Sequence, residues 1–147
     1  MSGIRNTKKV VYSLWKLSYM ASKYVKPTES EQEILQILWI KGLATVREVH
    51  EDLIKSKDIG YTTTLKLMQI MHEKGLERRD ESMRTHVYQA AVNKEKTQKH
   101  LLTKMIDSLF GGSSTQLVLQ ALGSGDGKAS AEDIEQIQTL LDNLKKQ

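Results

Sequence analysis

The chain has 147 residues, 39% of them hydrophobic, which suffices for one ordinary domain, or a small domain with an assembly segment, but not for an elaborate enzyme. It holds no cysteine, which removes disulfides, thiolate metal sites and cysteine nucleophiles together and fits a reducing, cytoplasmic setting. The formal net charge of +4 comes from residues 1–26, where Arg5, Lys8, Lys9, Lys16, Lys23 and Lys26 stand without an acid. The remainder is slightly acidic, so any affinity for nucleic acid has to come from a few basic groups gathered on one face.

Residues 1–26 read as a loosely ordered leader, with Met20 as an alternative start and a basic arm touching phosphates as the functional alternative. Lys16 breaks the apolar stretch 10–20 that a signal peptide would need, and no run of membrane length follows, so no membrane insertion is expected.

Pro27 precedes Thr28 and Glu31, which have the spacing of a capping box and start a helix. Its apolar residues Ile34, Leu35, Leu38 and Trp39 recur at helical spacing, and Gly42 supplies a left-handed residue to end it. Thr45 and Glu48 repeat the capping spacing and open a second helix with the stripe Val46, Val49, Leu53 and Ile54, running out near Ser56. Residues 57–60 read as a turn.

A third helix is expected from about Thr62 to Lys74, stopped by Gly75. On a helical wheel Thr64, Leu67, Met68 and Met71 share one side, while Thr62, Lys66, Gln69 and Glu73 share the other with Thr63 at its edge. Small hydroxyls, an amide and a lysine facing outward from a third short helix suit a helix-turn-helix, whose outward side chains bond base edges and phosphates. Any solvated helix also shows a polar face, and the wheel leaves both readings open.

Residues 76–79, a polar turn at 80–83 and residues 84–89 with Val87 and Tyr88 read as a hairpin, in the position of a wing. Arg78, Arg79 and Arg84 would then flank the third helix and grip the phosphate backbone; alternatively they pair with Asp80 and Glu81 on a solvated hairpin.

Beyond Asn93 longer helices alternate with glycine. Leu101, Leu102, Met105, Ile106 and Leu109 form an apolar seam closed by Phe110-Gly111-Gly112. Leu117, Val118, Leu119, Ala121 and Leu122 follow before a glycine-rich linker over 123–127. Ser130 with Asp133 then caps a helix bearing Ile134, Ile137, Leu140, Leu141 and Leu144. So few helices bury these faces poorly alone, and either a second copy or the preceding domain has to cover them.

His50, His72, His86 and His100 lie on different elements without the spacing of a helical metal pair, and no phosphate loop or nucleophile motif occurs. No catalysis, metal or cofactor is expected, and His50 and His72 read as helix-surface or edge residues. A rival outside the enzymes is a winged-helix module that binds protein instead of DNA.

In chain order, Pro27-Thr28-Glu29, Ile34-Leu35, Leu38-Trp39, Thr45-Val46-Arg47-Glu48-Val49, Gly60-Tyr61-Thr62-Thr63, Glu73-Lys74-Gly75-Leu76, Val87-Tyr88, Leu109-Phe110-Gly111-Gly112-Ser113 and Leu117-Val118 resemble the BlaI/MecI family of penicillinase-type repressors. The resemblance runs from Pro27 to about Leu144. It implies a mainly α chain, with a winged helix-turn-helix domain and small β-hairpin wing over 27–92 and a helical dimerisation region over 93–147. It further implies a homodimer on a palindromic duplex DNA operator, often of genes for resistance to cell-wall antibiotics and of a partner membrane sensor.

With that resemblance the candidate DNA contacts are Thr45, Tyr61, Thr62, Thr63, Lys66, Gln69, Arg78 and Arg84. The dimerisation residues are Leu101, Leu102, Met105, Ile106, Leu109, Leu117, Val118, Ile134, Ile137 and Leu141. Release through a sensor metallopeptidase would involve cleavage in the tail, at Phe110, Gly111, Gly112, Ser113, Ser114, Thr115 or Gln116. Ile70 stands where the family commonly has arginine, and Ala90 where an aromatic-proline pair would be completed. The Asn-Phe bond cut in the penicillinase branch has no counterpart here, and without cysteine the copper-sensing branch is excluded.

Overall fold

In the computed structural model, which describes residues 24–124 and 127–147, the chain enters its first helix through reciprocal hydrogen bonds. Thr28 N–H donates to Glu31 Oε2 at 2.8 Å and Glu31 N–H to Thr28 Oγ1 at 3.3 Å, opening α1 (Glu29–Lys41). Thr45 and Glu48 do the same at 2.7 and 3.3 Å for α2 (Val46–Leu53). Both boxes satisfy backbone donors that would otherwise be orphaned, each cap contributing about 1 kcal/mol. The basic leader as far as residue 23, Met20 included, lies outside the described residues.

The second helix stops sooner than its apolar stripe suggests. Lys55 N–H bonds to the Asp52 carbonyl and Ser56 N–H to that of Leu53, so the chain tightens into a turn after Leu53. Ile54 therefore leaves the stripe and is exposed.

The third helix, α3 (Tyr61–Glu73), starts at Tyr61 after the N-cap Gly60. Gly42 and Gly75, each with φ 78°, end α1 and turn the chain out of α3 in a conformation that side chains resist. The hairpin follows as β1 (Glu77–Asp80) and β2 (Val87–Ala90), antiparallel, with Glu77 opposite Ala90 and Asp80 opposite Val87. Ala44 adds one rung, exchanging backbone bonds with Tyr88 at 2.8 and 2.9 Å.

The second strand begins later than the sequence suggests. Asp80 Oδ1 accepts from Ser82 N–H at 2.9 Å and Arg79 folds onto Glu81, so pairing ends at Asp80 and Val87 and Arg84 falls in the connection.

Ile34, Leu35 and Leu38 of α1, Val46, Val49 and Leu53 of α2, Met68 and Met71 of α3, with Ala44, Leu76 and Tyr88, form one core. Trp39 packs beside it, and its Nε1–H donates to the Val92 carbonyl at 3.0 Å, tying the end of the hairpin to α1. At the far side Lys74 Nζ meets Glu31 Oε1 at 2.6 Å. Three helices and a hairpin closed on this core make a winged helix.

Helix α4 (Lys94–Leu109) begins on Asn93, whose Oδ1 accepts from Lys96 N–H, and buries Thr97 in its first turn. The compact unit ends at Lys99, and a second unit runs from His100 to Gln147. That unit contains the rest of α4, α5 (Ser114–Gly123) and α6 (Ala131–Lys145), with Ser113 capping α5, and Ser130 with Asp133 capping α6 as the spacing of that pair predicts. None of its described residues is buried. Among the described residues no helix is long and apolar enough to cross a membrane.

Candidate nucleic-acid interface

Helix α3 separates its two faces as an interface requires. Thr64, Met68 and Met71 are buried and Leu67 half-buried, while Thr62, Thr63, Lys66 and Gln69 are all exposed. Ile70 is half-buried. Lys66 has no ion-pair partner among the described residues, so its ammonium is available to a phosphate. Tyr61 is half exposed, and its ring packs against His50. The Thr45 hydroxyl is engaged in its cap, donating to Glu48 Oε2 at 3.0 Å.

The wing divides its arginines. Arg79 is turned back, its Nε 2.7 Å from Glu81 Oε1, and it also bonds the Tyr88 side chain. This is the paired arrangement for one arginine, whereas Asp80 serves the turn instead of a cation. Arg78 and Arg84 are exposed and without ion pairs among the described residues, one on the outer side of β1 and one in the connection. The wing therefore offers two uncommitted guanidinium groups, not three.

Beneath the wing lies a carboxyl that the sequence gives no reason to expect inside. Glu77 is 2% exposed and neither side-chain oxygen hydrogen-bonds to a described residue. Burial pushes its pKa up to about 8, against a weaker opposing pull from Arg79, so the carboxyl is neutral at pH 7. Its backbone carbonyl lies 3.3 Å from His72 Nδ1, joining the end of α3 to the start of β1.

Two of the histidines, expected at a helix surface or edge, lie at edges where elements meet. His50 and His72 are both half-buried and each ties α3 to a neighbour, His50 through Thr64 at 3.0 Å. Spacing could not reveal either contact, since each depends on how separate elements pack. Among the described residues no group of three or more histidine or carboxylate side chains could hold a metal.

In the second unit the expected seam residues stand mostly open. Leu102, Met105, Leu109, Val118, Ile134 and Leu141 are exposed, and Leu101, Ile106, Leu117 and Ile137 half-buried. Phe110 ends the α4 seam; Gly111 and Gly112, both with positive φ, lead to Ser113, and Ser114, Thr115 and Gln116 form the first turn of α5.

The sequence profile of penicillinase repressors matches residues 27–143, that is, the winged helix and nearly all of the tail. The chain belongs to the penicillinase repressor family. The penicillinase repressor of Staphylococcus aureus is 21% identical over 127 residues, covering 86% of this chain and 99% of that protein. The methicillin resistance regulatory protein MecI of Staphylococcus aureus strain N315 is 23% identical over 122 residues, covering 83% and 98%. That of Mammaliicoccus sciuri is 22% identical over a stretch of the same length. Membership makes this chain one of a family of DNA-binding transcriptional repressors, a regulatory and not a catalytic class.

Proposed function

We propose that this chain represses transcription as a cytoplasmic homodimer seated on a palindromic duplex operator. The observation that carries the reading is the division of α3, where Thr62, Thr63, Lys66 and Gln69 are open while Thr64, Met68 and Met71 hold the helix to the core. An outward face of this kind fits a major groove, with the hydroxyls and the amide bonding base edges and Lys66 a phosphate. Arg78 and Arg84 add backbone contacts that fix register without specifying sequence. Thr45 and Tyr61 flank this face, Thr45 with its backbone at the start of α2 and Tyr61 with its exposed edge.

The tail supplies the second copy. Leu102, Met105, Leu109, Val118, Leu119, Leu122, Ile134, Leu140, Leu141 and Leu144 are each more than two-fifths exposed, far more apolar surface than a monomer leaves open. Helix α5 is apolar on several sides, which suits a helix enclosed by partners and not one lying on a surface. Two linked half-site contacts then act through effective concentration. Release follows when a partner membrane metallopeptidase, directly or through an intermediary, has the chain cut between Phe110 and Leu117.

The experiment is selection of duplexes from a randomised pool by the full-length protein. Enrichment of an inverted repeat is expected; enrichment of no sequence, or of a site without two-fold symmetry, would sink the proposal.

A further inference from the structure

The first turn of α3 lacks the side-chain cap that opens α1 and α2, because its N-cap is Gly60. Thr64 and His50 fasten this turn in another way, without accepting from its free N–H groups. The Thr64 hydroxyl is completely buried, 3.4 Å from the Gly60 carbonyl and 3.0 Å from His50 Nδ1. A hydroxyl has one proton to donate and lone pairs to accept with. Donated to Gly60, the proton leaves Oγ1 free to accept from Nδ1–H of His50. Donated to Nδ1, it would leave the 3.4 Å contact with the Gly60 carbonyl, which also accepts from Thr64 N–H at 3.1 Å, without a hydrogen bond. The arrangement in which both contacts are hydrogen bonds therefore carries the proton on His50 Nδ1.

The same imidazole meets the Tyr61 ring edge to face, with centroids 5.5 Å apart and planes at 83°. One side chain of α2 thus holds two residues of the first turn of α3, one by a hydrogen bond and one by ring contact. Thr62 and Thr63 lie between those two anchors in sequence. Their direction toward a groove is set by how firmly the turn is fixed, since base-edge hydrogen bonds tolerate little displacement.

We propose that His50 is a positioning residue for operator reading, which fixes the first turn of α3 through Thr64 and Tyr61 without contacting DNA. This rests on α3 being the recognition helix. The clamp acts on specific binding, where geometry counts, and leaves phosphate attraction alone.

The test has two parts, both on the full chain. Long-range proton–nitrogen spectra of the labelled protein without DNA, at a pH where the ring is neutral, should find the proton of His50 on Nδ1; a proton on Nε2 overturns the proposal. Affinities are then measured for the duplex that the wild-type protein enriches and for mixed-sequence duplex.

His50→Leu, which keeps bulk but loses the donor, should lower specific affinity about tenfold while leaving mixed-sequence affinity and the salt slope unchanged. His50→Asn, whose amide can donate from nearly the place of Nδ1, should recover most of that loss. An unchanged specificity ratio in His50→Leu overturns the proposal, and so does a salt slope reduced by about one per subunit, which would make His50 a phosphate ligand. If melting shows His50→Leu unfolded, the asparagine variant and the tautomer decide. Should the wild-type protein enrich no sequence, the recognition-helix reading itself falls, whereas the tautomer reports on the clamp alone.

Discussion

The Lys74 ammonium at the end of α3 lies 2.6 Å from the Glu31 carboxylate in the first turn of α1, and that carboxylate is 2% exposed. Burial by itself would push the Glu31 pKa up, but the bonds from Lys74 and from Thr28 N–H outweigh it and hold the carboxyl below its ordinary value of 4.5. The pair therefore fastens the end of α3 to α1 only while Glu31 is ionised. Its contribution is full above the ordinary carboxyl value and is lost as pH falls through the lowered one. Lys74→Met strands the carboxylate, and chemical denaturation at pH 7 should show a loss of roughly 2–3 kcal/mol. It should also show less further loss on acidification, because Glu31 no longer gains from folding in its ionised form.

Glu77 gives the opposite pH dependence. Its carboxyl titrates near 8 when folded and near 4.5 when unfolded, so between those values the native state binds a proton that the unfolded chain has lost. Stability should fall across that window by up to about 1.4 kcal/mol per pH unit and level off above it. Glu77→Leu is expected to remove this slope and to raise stability at pH 8 by roughly 2–4 kcal/mol, read from urea melts at several pH values. Parallel profiles for the two proteins would show that the side chain reaches water.

If α3 and the wing meet DNA as proposed, substitutions of the exposed cations and hydroxyls should separate two kinds of contact. Thr63→Ala should cost roughly 1–3 kcal/mol on the selected operator if the hydroxyl meets a base edge, and little on mixed-sequence DNA. Lys66→Ala and Arg84→Ala should weaken both and flatten the salt dependence by about one unit per subunit each. Arg79→Ala should leave the slope unchanged, because its guanidinium is already held by Glu81 and Tyr88. Gel-shift titrations over a salt series, with circular dichroism for folding, check all four.

A chain ending at Lys99 keeps the whole core, the Trp39 bond to Val92 and the buried Thr97. It should fold and remain monomeric, with its operator affinity strongly reduced for want of the second half-site contact. Light scattering that finds a dimer would move the partner interface into the winged helix.

Cleavage should fall between Phe110 and Leu117, at the junction where Gly111 and Gly112 break the path from α4 to α5. Mass spectrometry of the protein from induced cells is expected to find fragments ending there. Derepression with the chain intact would require another route of release.

What could be read from the sequence was set by distance along the chain. The caps of α1, α2 and α6 were legible because a threonine or serine and an acid three residues later need only each other. The faces of α3 were legible because helical periodicity fixes them locally. The place of Arg84 was not, since it depends on where pairing stops, and that was decided by the Asp80–Ser82 turn and the Arg79–Glu81 pair. Glu77 looks like a solvated strand residue until the register sets it opposite Ala90 on the covered face. His50 shows nothing in sequence, because its partners Tyr61 and Thr64 belong to the next helix.

No described residue beyond Lys99 is buried within one chain, and a second copy is what we propose to cover that surface. The order of the tail would then be a function of protein concentration, as for any obligate dimer. Operator occupancy would rise more steeply than in proportion to the number of chains, since dilution removes the partner as well as the ligand. A modest fall in synthesis, or the loss of a minor fraction of chains to a peptidase, would open the promoter over a narrow range, giving a sharp response.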